Sequence, residues 1–158
     1  MKSGGTPSRT KNEYWNSADY RWLKTGEVHN NIITDTEEYI SELGLQKSSA
    51  KLIPRDSVIM AMYGATAAQV GYLDCETTTN QACCNMICHS KDDAAFLYFH
   101  LLYHQEDIKR LANGGAQENL SQELIAKLPV IITKTDIITK KITTFIDVLK
   151  IKYRGCNR

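Results

Sequence analysis

The segment 58–88 constrains the fold of this chain more than any other part of its 158-residue sequence. Three short apolar runs, at 58–63, 69–73 and 81–88, are separated by Gly64 and by the polar sequence TTTN. Apolar runs of this length, bounded by turn-forming residues, are more typical of buried strands than of helices. We therefore predict three consecutive strands at the centre of the fold.

Polar residues mark both turns between these strands. The first turn reads YGAT from Tyr63 to Thr66, and the second reads TTTNQ at 77–81. Small hydrogen-bonding residues at such turns bind the backbone or a ligand, and a hydrophobic core does not require them there. The YGAT turn is therefore a candidate for a binding surface, whereas Asn80 and Gln81, which precede a buried strand, are interpreted as scaffold that ties the loop to the backbone.

The remaining elements are predicted from capping and chain-breaking signals. A short strand is predicted at 20–24. Asp35 and Glu38 are spaced as a capping box, which predicts a helix through Leu43 that Gly44 ends. The other predicted elements are a helix over 92–111, a brief helix capped by Ser121, a strand at 130–132 and a final helix capped by Asp136.

The net charge of +1 excludes a uniformly basic surface for nucleic acid, but the charges are unevenly distributed. Residues 1–11 carry three basic side chains and no acid, 27–46 carry five acids and no Lys or Arg, and 134–158 carry seven basic side chains and two acids. This distribution predicts one basic face for phosphates and an acidic face left in solvent. Solvated charge runs that bind nothing are the alternative.

The five cysteines are interpreted as reduced thiols, because their number is odd, most lie in or near an apolar strand, and no signal peptide precedes them. No apolar run approaches the roughly 18 residues of a membrane span, so we predict a cytoplasmic protein. Cys83 and Cys84 are adjacent, and adjacent strand residues point to opposite faces, which disfavours a zinc site. His100 and His104 have no acid between them. We predict no metal and no cofactor.

No set of catalytic groups is recognisable in the sequence. It lacks an Asn/Asp-Pro-Pro-Tyr methyltransferase motif, a Gly-rich cofactor loop after a strand and a P-loop lysine. A Pro-Asp…Glu-x-Lys nuclease pattern is also absent, and no spacing suggests a Ser-His-Asp or Cys-His set. We therefore predict no catalytic residue and a non-enzymatic protein.

Several motifs in sequence order resemble the target-recognition domain of type I restriction-modification DNA specificity subunits. They are GGTPSRTKNEYW, WLKTGEV, MYGAT, VGYL, TTNQACC, GGAQENLS with a following LPV, and a terminal amphipathic helix. The resemblance implies an α+β fold, with a small mixed β-sheet and packed helices over 1–133 and a coiled-coil-like helix over 134–158. It also implies an initial strand, which this chain is expected to lack because GGTP follows so closely on Met1.

The same resemblance implies a non-catalytic module that recognises double-stranded DNA and reads one half of a bipartite target. A methyltransferase (modification) subunit would dock on it, and catalysis would belong to other subunits. A restriction subunit, a second specificity half or a second copy of the chain are the further partners it implies. Two alternatives stay open, namely an interaction or dimerisation domain that binds no DNA, and a degenerate fragment of a specificity subunit.

Candidate DNA contacts are chosen as basic side chains for phosphates and polar side chains for base edges. They are Arg9, Lys11, Tyr14, Lys24, Thr25, Tyr63, Thr66, Gln69, Gln117 and Asn119. Structural roles are the alternatives: Tyr14 can fix its loop to the core, Lys24 can simply be solvated, and Thr66 and Gln69 can satisfy backbone groups.

The final helix carries an apolar seam at spacings of four and three, formed by Ile138, Ile142, Phe145 and Leu149. A seam of this kind predicts a partner or dimer interface. The alternative is that the helix folds back onto its own domain.

Overall fold

The computed structural model describes residues 1–112, 119–130 and 136–156, with the side chains of the last helix described from 140 to 154. Within these ranges the fold combines two mixed β-sheets with five α-helices. The strands are β1 (Lys2–Ser3), β2 (Tyr20–Leu23), β3 (Asn31–Ile33), β4 (Glu38–Ile40), β5 (Ser57–Ala61), β6 (Val70–Leu73), β7 (Thr78–Thr79) and β8 (Cys83–Ile87). The predicted α+β class is confirmed.

The larger sheet has the strand order β1-β8-β5-β6-β3. Its central strand β5 is antiparallel to both neighbours, and Met60 lies opposite Cys84 on one side and Val70 on the other. Every residue of β5 and β6 is buried. The three strands predicted within 58–88 are thus confirmed and form the middle of this sheet.

The smaller sheet has the order β4-β2-β7. Its strand β4 lies where the sequence predicts a helix over 35–43, so that prediction is wrong. Trp22 of β2 pairs with Glu38, and Ile40 is fully buried, so sheet pairing and burial outweigh the local capping signal. Asp35 instead accepts hydrogen bonds from Arg21 Nε (2.9 Å) and the Tyr39 hydroxyl (2.5 Å).

The helices are α1 (Glu42–Gln46), α2 (Lys91–Tyr103), α3 (Gln105–Ala112), α4 (Gln122–Ala126) and α5 (Asp136–Cys156). The single helix predicted over 92–111 is in fact two helices that meet at His104. Ser121 caps α4 as predicted, accepting a hydrogen bond from the Leu124 amide. The strand predicted at 130–132 lies outside the described residues except for Val130, which is not in a strand.

The start of the chain occupies an edge of the larger sheet. Lys2 pairs with Asn85 of β8, so the expectation that the initial strand is lacking is wrong. Gly4 passes so close to Thr79 and Asn80 that a Cβ atom at this position would overlap them. A Cβ atom at Gly5 would overlap Ser49. The glycines therefore hold the first segment against both neighbours.

Helix α5 folds back onto the domain, as the alternative reading of its seam stated. Ile146 is fully buried in the main core, and Ile142, Leu149 and Tyr153 pack against that core while partly exposed. The same core contains side chains from β5, β6 and α2. One face of the helix is therefore part of the domain.

A network of charged side chains fixes the end of α5 to the sheet. Lys150 Nζ lies 2.8 Å from Asp56 Oδ1 and 3.5 Å from Asp74 Oδ1, and the Tyr72 hydroxyl donates to Asp56 (2.6 Å). We call it the α5 ion-pair network; its members are Arg55, Asp56, Tyr72, Asp74, Lys150 and Arg154. Burial opposes ionisation of Asp56, but the hydrogen bonds from Lys150 and Tyr72 outweigh it and lower the pKa of that carboxyl.

Among the described residues, none of the helices combines the length and apolar character that crossing a membrane requires.

Candidate nucleic-acid interface

Polar turns gather at one end of the larger sheet. Ala61, the last residue of β5, lies opposite Cys83, the first of β8, and the starts of β6 and β3 lie at the same end. The turns 62–69, 24–30 and 80–82 are therefore neighbours, and we call this region the loop end. The α5 ion-pair network lies at the opposite end, because its two aspartates directly precede β5 and directly follow β6.

Two candidate residues that are distant in sequence meet at the loop end. Tyr63 and Asn119 form an antiparallel bridge, and the Leu120 amide donates to the Met62 carbonyl (2.7 Å). Leu120 is buried, whereas Tyr63 is 45% exposed. The segment that contains Asn119 is thus anchored beside the YGAT turn, with the Tyr63 ring left accessible.

Some polar groups of the turn after Tyr63 form hydrogen bonds within the turn itself. Gly64 and Ala68 both have left-handed backbones, each with φ of 66°, a conformation that glycine adopts readily and alanine rarely. The Thr66 hydroxyl donates to the Tyr63 carbonyl (3.2 Å), and the Gln69 amide donates to the Thr66 carbonyl (2.9 Å). Thr66 therefore stabilises the turn, as the structural alternative stated, and the half-buried Gln69 follows it.

Asn30 holds the loop end together and is not among the candidate residues predicted from sequence. Its Oδ1 accepts from the Val70 amide (3.0 Å) and from Gln105 Nε2 (2.9 Å), and its carbonyl accepts from the Tyr98 hydroxyl (2.9 Å). Gln105 Nε2 also donates to the Ala68 carbonyl (3.0 Å). These bonds join the 24–30 turn to the 62–69 turn and to α3. An Asn before an apolar run is the faint signal that was available.

Arg9 lies against two tryptophans and an acid. Its guanidinium carbon is 3.6 Å from the centre of the Trp15 ring and 4.7 Å from that of Trp22, and it forms an ion pair with Glu38. Half of the Arg9 side chain is exposed. A groove of about 420 Å³ adjoins Arg9, Trp15 and Glu38.

Lys24 is also paired with acids. Its Nζ is 3.0 Å from Glu37 and 2.9 Å from Glu38, and hydrogen bonds to these two carboxylates raise the lysine pKa. Thr25 opens the short 3₁₀ helix Thr25–Glu27 and is half-buried.

The two other candidates of the first segment form a pair. Lys11 is exposed, and its Nζ donates to the Tyr14 hydroxyl (3.1 Å), which raises the lysine pKa. Tyr14 is buried, and its carbonyl accepts from the Ser41 amide (2.9 Å). The alternative reading, in which Tyr14 fixes its loop to the core, describes its position.

The acidic run does not form a separate face. Asp35 pairs with Arg21, and Glu38 pairs with Arg9 and Lys24, because β4 lies antiparallel to β2. The predicted division into a basic and a solvated acidic face is therefore wrong for these residues: charges separated along the sequence are neighbours in the fold.

The predicted interface seam on α5 is split between two faces. Ile142 and Leu149 pack partly against the main core, while Phe145 is 54% exposed and contacts Phe99. The side chain of Ile138 and the whole of Gln117 lie outside the described residues. Two further apolar side chains on α5 are exposed, Val148 and Ile151. We call Phe145, Val148 and Ile151 the α5 stripe.

Cys83 and Cys84 are buried in the fold. Burial raises the pKa of Cys83 to about 12 and that of Cys84 to about 11. Their thiols are therefore protonated at neutral pH and are poor nucleophiles. Within the part of the chain that the structure describes, no three His, Cys, Asp or Glu side chains converge as metal ligands would.

Comparison with known proteins gives concordant matches. The Escherichia coli Type I restriction enzyme EcoR124I/EcoR124II specificity subunit is 28% identical over 158 aligned positions, covering 89% of this chain and 39% of the relative. The Haemophilus influenzae Type I restriction enzyme HindI specificity subunit is 30% identical over 139 positions, covering 85% of this chain and 30% of the relative. The chain thus spans well under half the length of these relatives.

Two solved structures share the fold. The S subunit of a type I restriction-modification system from M. genitalium superposes with a TM-score of 0.70 at 16% identity, over 98% of this chain and 37% of that one. A chain from a structural study of complex assembly and conformational transition in the type I R-M system gives a TM-score of 0.67 at 9% identity, over 98% and 36%. The family described as Type I restriction modification DNA specificity domain matches residues 1–153, and the chain belongs to that family.

Proposed function

We propose that the loop end binds double-stranded DNA and reads one half of a bipartite target within a type I restriction-modification system. The observation that carries the proposal is the bridge between Tyr63 and Asn119, which joins two polar motif segments on one accessible surface. Membership of the DNA specificity domain family supports the same function.

The candidate residues divide by chemistry into two sets. Arg9, Lys11 and Lys24 are cations that suit phosphates, and such contacts provide affinity for any sequence. Tyr63 and Asn119 carry a hydroxyl and an amide, which suit base edges and provide discrimination between sequences. In this assignment β5 and β6 flank the turn that carries Tyr63, whereas β2 and β4 of the smaller sheet position Arg9 and Lys24.

The chain itself performs no reaction in this proposal. Methylation and cleavage belong to other subunits, and the methyltransferase subunit docks on this domain through the α5 stripe. Phe145, Val148 and Ile151 are 54%, 58% and 72% exposed, respectively, on a helix whose other face is already buried. An exposed apolar row on an otherwise packed helix is typical of a protein contact.

The α5 stripe also favours a second candidate function, a protein-interaction domain that binds no DNA. The two functions differ in their response to duplex. Binding of a partner protein that is unaffected by duplex, combined with no mobility shift at any salt concentration, would favour the second.

The DNA assignment is tested by measuring duplex binding in the presence of the cognate modification subunit, between 50 and 200 mM salt. The double variant Arg9→Ala/Lys24→Ala is expected to lose affinity for all sequences and to flatten the plot of log K against log salt by about 0.9 for each lost phosphate contact. Tyr63→Ala is expected to lose affinity mainly for the preferred sequence, by about 1–3 kcal/mol.

Lys91→Ala is the matched control, since Lys91 is also an ion-paired surface lysine but follows β8 at the opposite end of the sheet. An equal loss in this control would contradict the assignment to the loop end. Docking has its own test: Val148→Ser/Ile151→Ser is expected to weaken binding of the modification subunit, whereas Thr144→Ala, also exposed on α5, is not.

A further inference from the structure

Arg9 and Lys24, two of the three cations assigned to phosphates, already form ion pairs with carboxylates. Glu38 contacts both Arg9 and Lys24, and Glu37 contacts Lys24 alone. The proposed function, on which this inference rests, assigns the same two cations to DNA phosphates. Neither acid is among the candidate residues predicted from sequence.

Strand register and backbone hydrogen bonds fix the positions of Glu37 and Glu38 beside the two cations. The register of β2 and β4 sets Glu38 directly opposite Trp22, against which the Arg9 guanidinium lies. The Glu27 carboxylate accepts from the backbone amides of Lys24 (3.0 Å) and Glu37 (2.9 Å) and thereby holds the two segments together.

We propose that Glu37 and Glu38 act as built-in competitors for phosphate, occupying Arg9 and Lys24 until DNA replaces them. Ion exchange is feasible because the pairs are accessible: the Glu37 side chain is 70% exposed, and the groove of about 420 Å³ opens next to Glu38. Stacking on Trp15 keeps Arg9 in position when Glu38 is released.

The consequence is a lower affinity for DNA of every sequence. Phosphate contacts provide most non-specific binding, so occupying two cations removes part of it. Base contacts must then provide a larger share of the affinity, and discrimination between cognate and other DNA is a difference between these affinities. Glu37 and Glu38 thus influence specificity without touching a base.

The test uses the full chain with its modification subunit and a mixed-sequence duplex that lacks the preferred site. Glu38→Gln is expected to raise the affinity for this duplex at 50 mM salt by at least about threefold. The loss of affinity between 50 and 200 mM salt should also become roughly threefold larger than in the wild type, because one additional cation is free to contact phosphate. Glu37→Gln should raise the affinity less, because Lys24 still forms an ion pair with Glu38 in this variant. The double variant Glu37→Gln/Glu38→Gln should raise it most.

Asp147→Asn is the matched control, because it removes one charge from an ion pair of comparable exposure with Lys91, away from the loop end. The decisive measurement repeats Glu38→Gln in the Arg9→Ala/Lys24→Ala background, where its effect should fall to that of Asp147→Asn. Thermal melts verify that each variant folds.

Two results would overturn the inference, and they are distinguishable. If wild type binds duplex but Glu38→Gln does not differ from Asp147→Asn, the competitor role is wrong while the proposed function stands. If neither wild type nor any variant binds duplex, the proposed function itself is wrong, and the inference fails with it.

Discussion

Lys150 is the residue whose environment departs furthest from what its type suggests. Its side chain is only 5% exposed, and its ammonium lies between the carboxylates of Asp56 and Asp74, above the Tyr72 ring at 4.6 Å. Lysine is almost never fully buried unless paired, and nothing local to the helix sequence reveals this pairing. Asp56 directly precedes β5 and Asp74 directly follows β6, so both are remote from Lys150 in the sequence.

Replacing Lys150 with methionine keeps the length of the side chain and removes the charge. Asp74 keeps Arg55 and Arg154, but Asp56 loses its direct cation, so we expect a loss of about 2–4 kcal/mol in the free energy of unfolding. Urea denaturation followed by circular dichroism measures it. Lys152→Met, at an exposed position of the same helix, should change stability by less than about 0.5 kcal/mol. Equal effects of the two variants would contradict this account.

At the scale of elements, α5 divides into an inner and an outer face. Ile146 is fully buried, while Ile151 is 72% exposed. Ile146→Ala is expected to lower the free energy of unfolding by about 2–5 kcal/mol, because a cavity forms in the main core. Ile151→Ala makes the same chemical change on the outer face and should cost less than about 0.5 kcal/mol. Similar costs at both positions would mean that α5 does not fold onto the domain.

The elements that were predictable from sequence are those whose signals are local. The three strands of 58–88 and the Ser121 cap follow from neighbouring residues, and the structure has them. The helix predicted over 35–43 fails because β4 depends on pairing with β2, which no local pattern encodes. The break at His104 accompanies contacts of Gln105 with Asn30 and Ala68, which are remote in sequence.

The candidate site divides in the same way. Residue chemistry identified Tyr63 and Asn119 as polar candidates, but only the bridge between them shows that they are adjacent. Arg9 and Lys24 were identified as cations, whereas their pairing with Glu38 required knowledge of the strand register. Sequence patterns thus identify polar side chains as candidates, and only the tertiary contacts show which of them already form ion pairs or hydrogen bonds within the domain.

The α5 ion-pair network connects the central sheet with the last helix and makes the stability of the fold depend on pH. The pKa of Asp56 lies below its ordinary value of 3.8 in the folded chain. As pH falls, Asp56 therefore binds a proton in the unfolded chain before it does so in the folded chain. The ionised Asp56 thus contributes fully to the free energy of unfolding above about pH 4, and this contribution is lost as pH falls through the pKa of the folded chain.

We expect the free energy of unfolding to change little between pH 7 and 5 through Asp56 and to decrease below about pH 4. Other carboxylates with lowered pKa, including Asp35 and Glu38, titrate in the same range. The difference between wild type and Asp56→Asn isolates this residue, and the variant should show a shallower acid slope in urea titrations. Identical slopes would mean that Asp56 does not contribute.

The separation of the two ends of the larger sheet has a practical consequence. The turn with Tyr63, to which Asn119 is bridged, lies at one set of strand ends, and Asp56 and Asp74 lie at the other, with the buried strands β5 and β6 between them. Turns transplanted from a related domain would therefore leave the attachment of α5 intact. Under the proposed function, changing these turns alone is therefore expected to give hybrid proteins with a different DNA sequence preference.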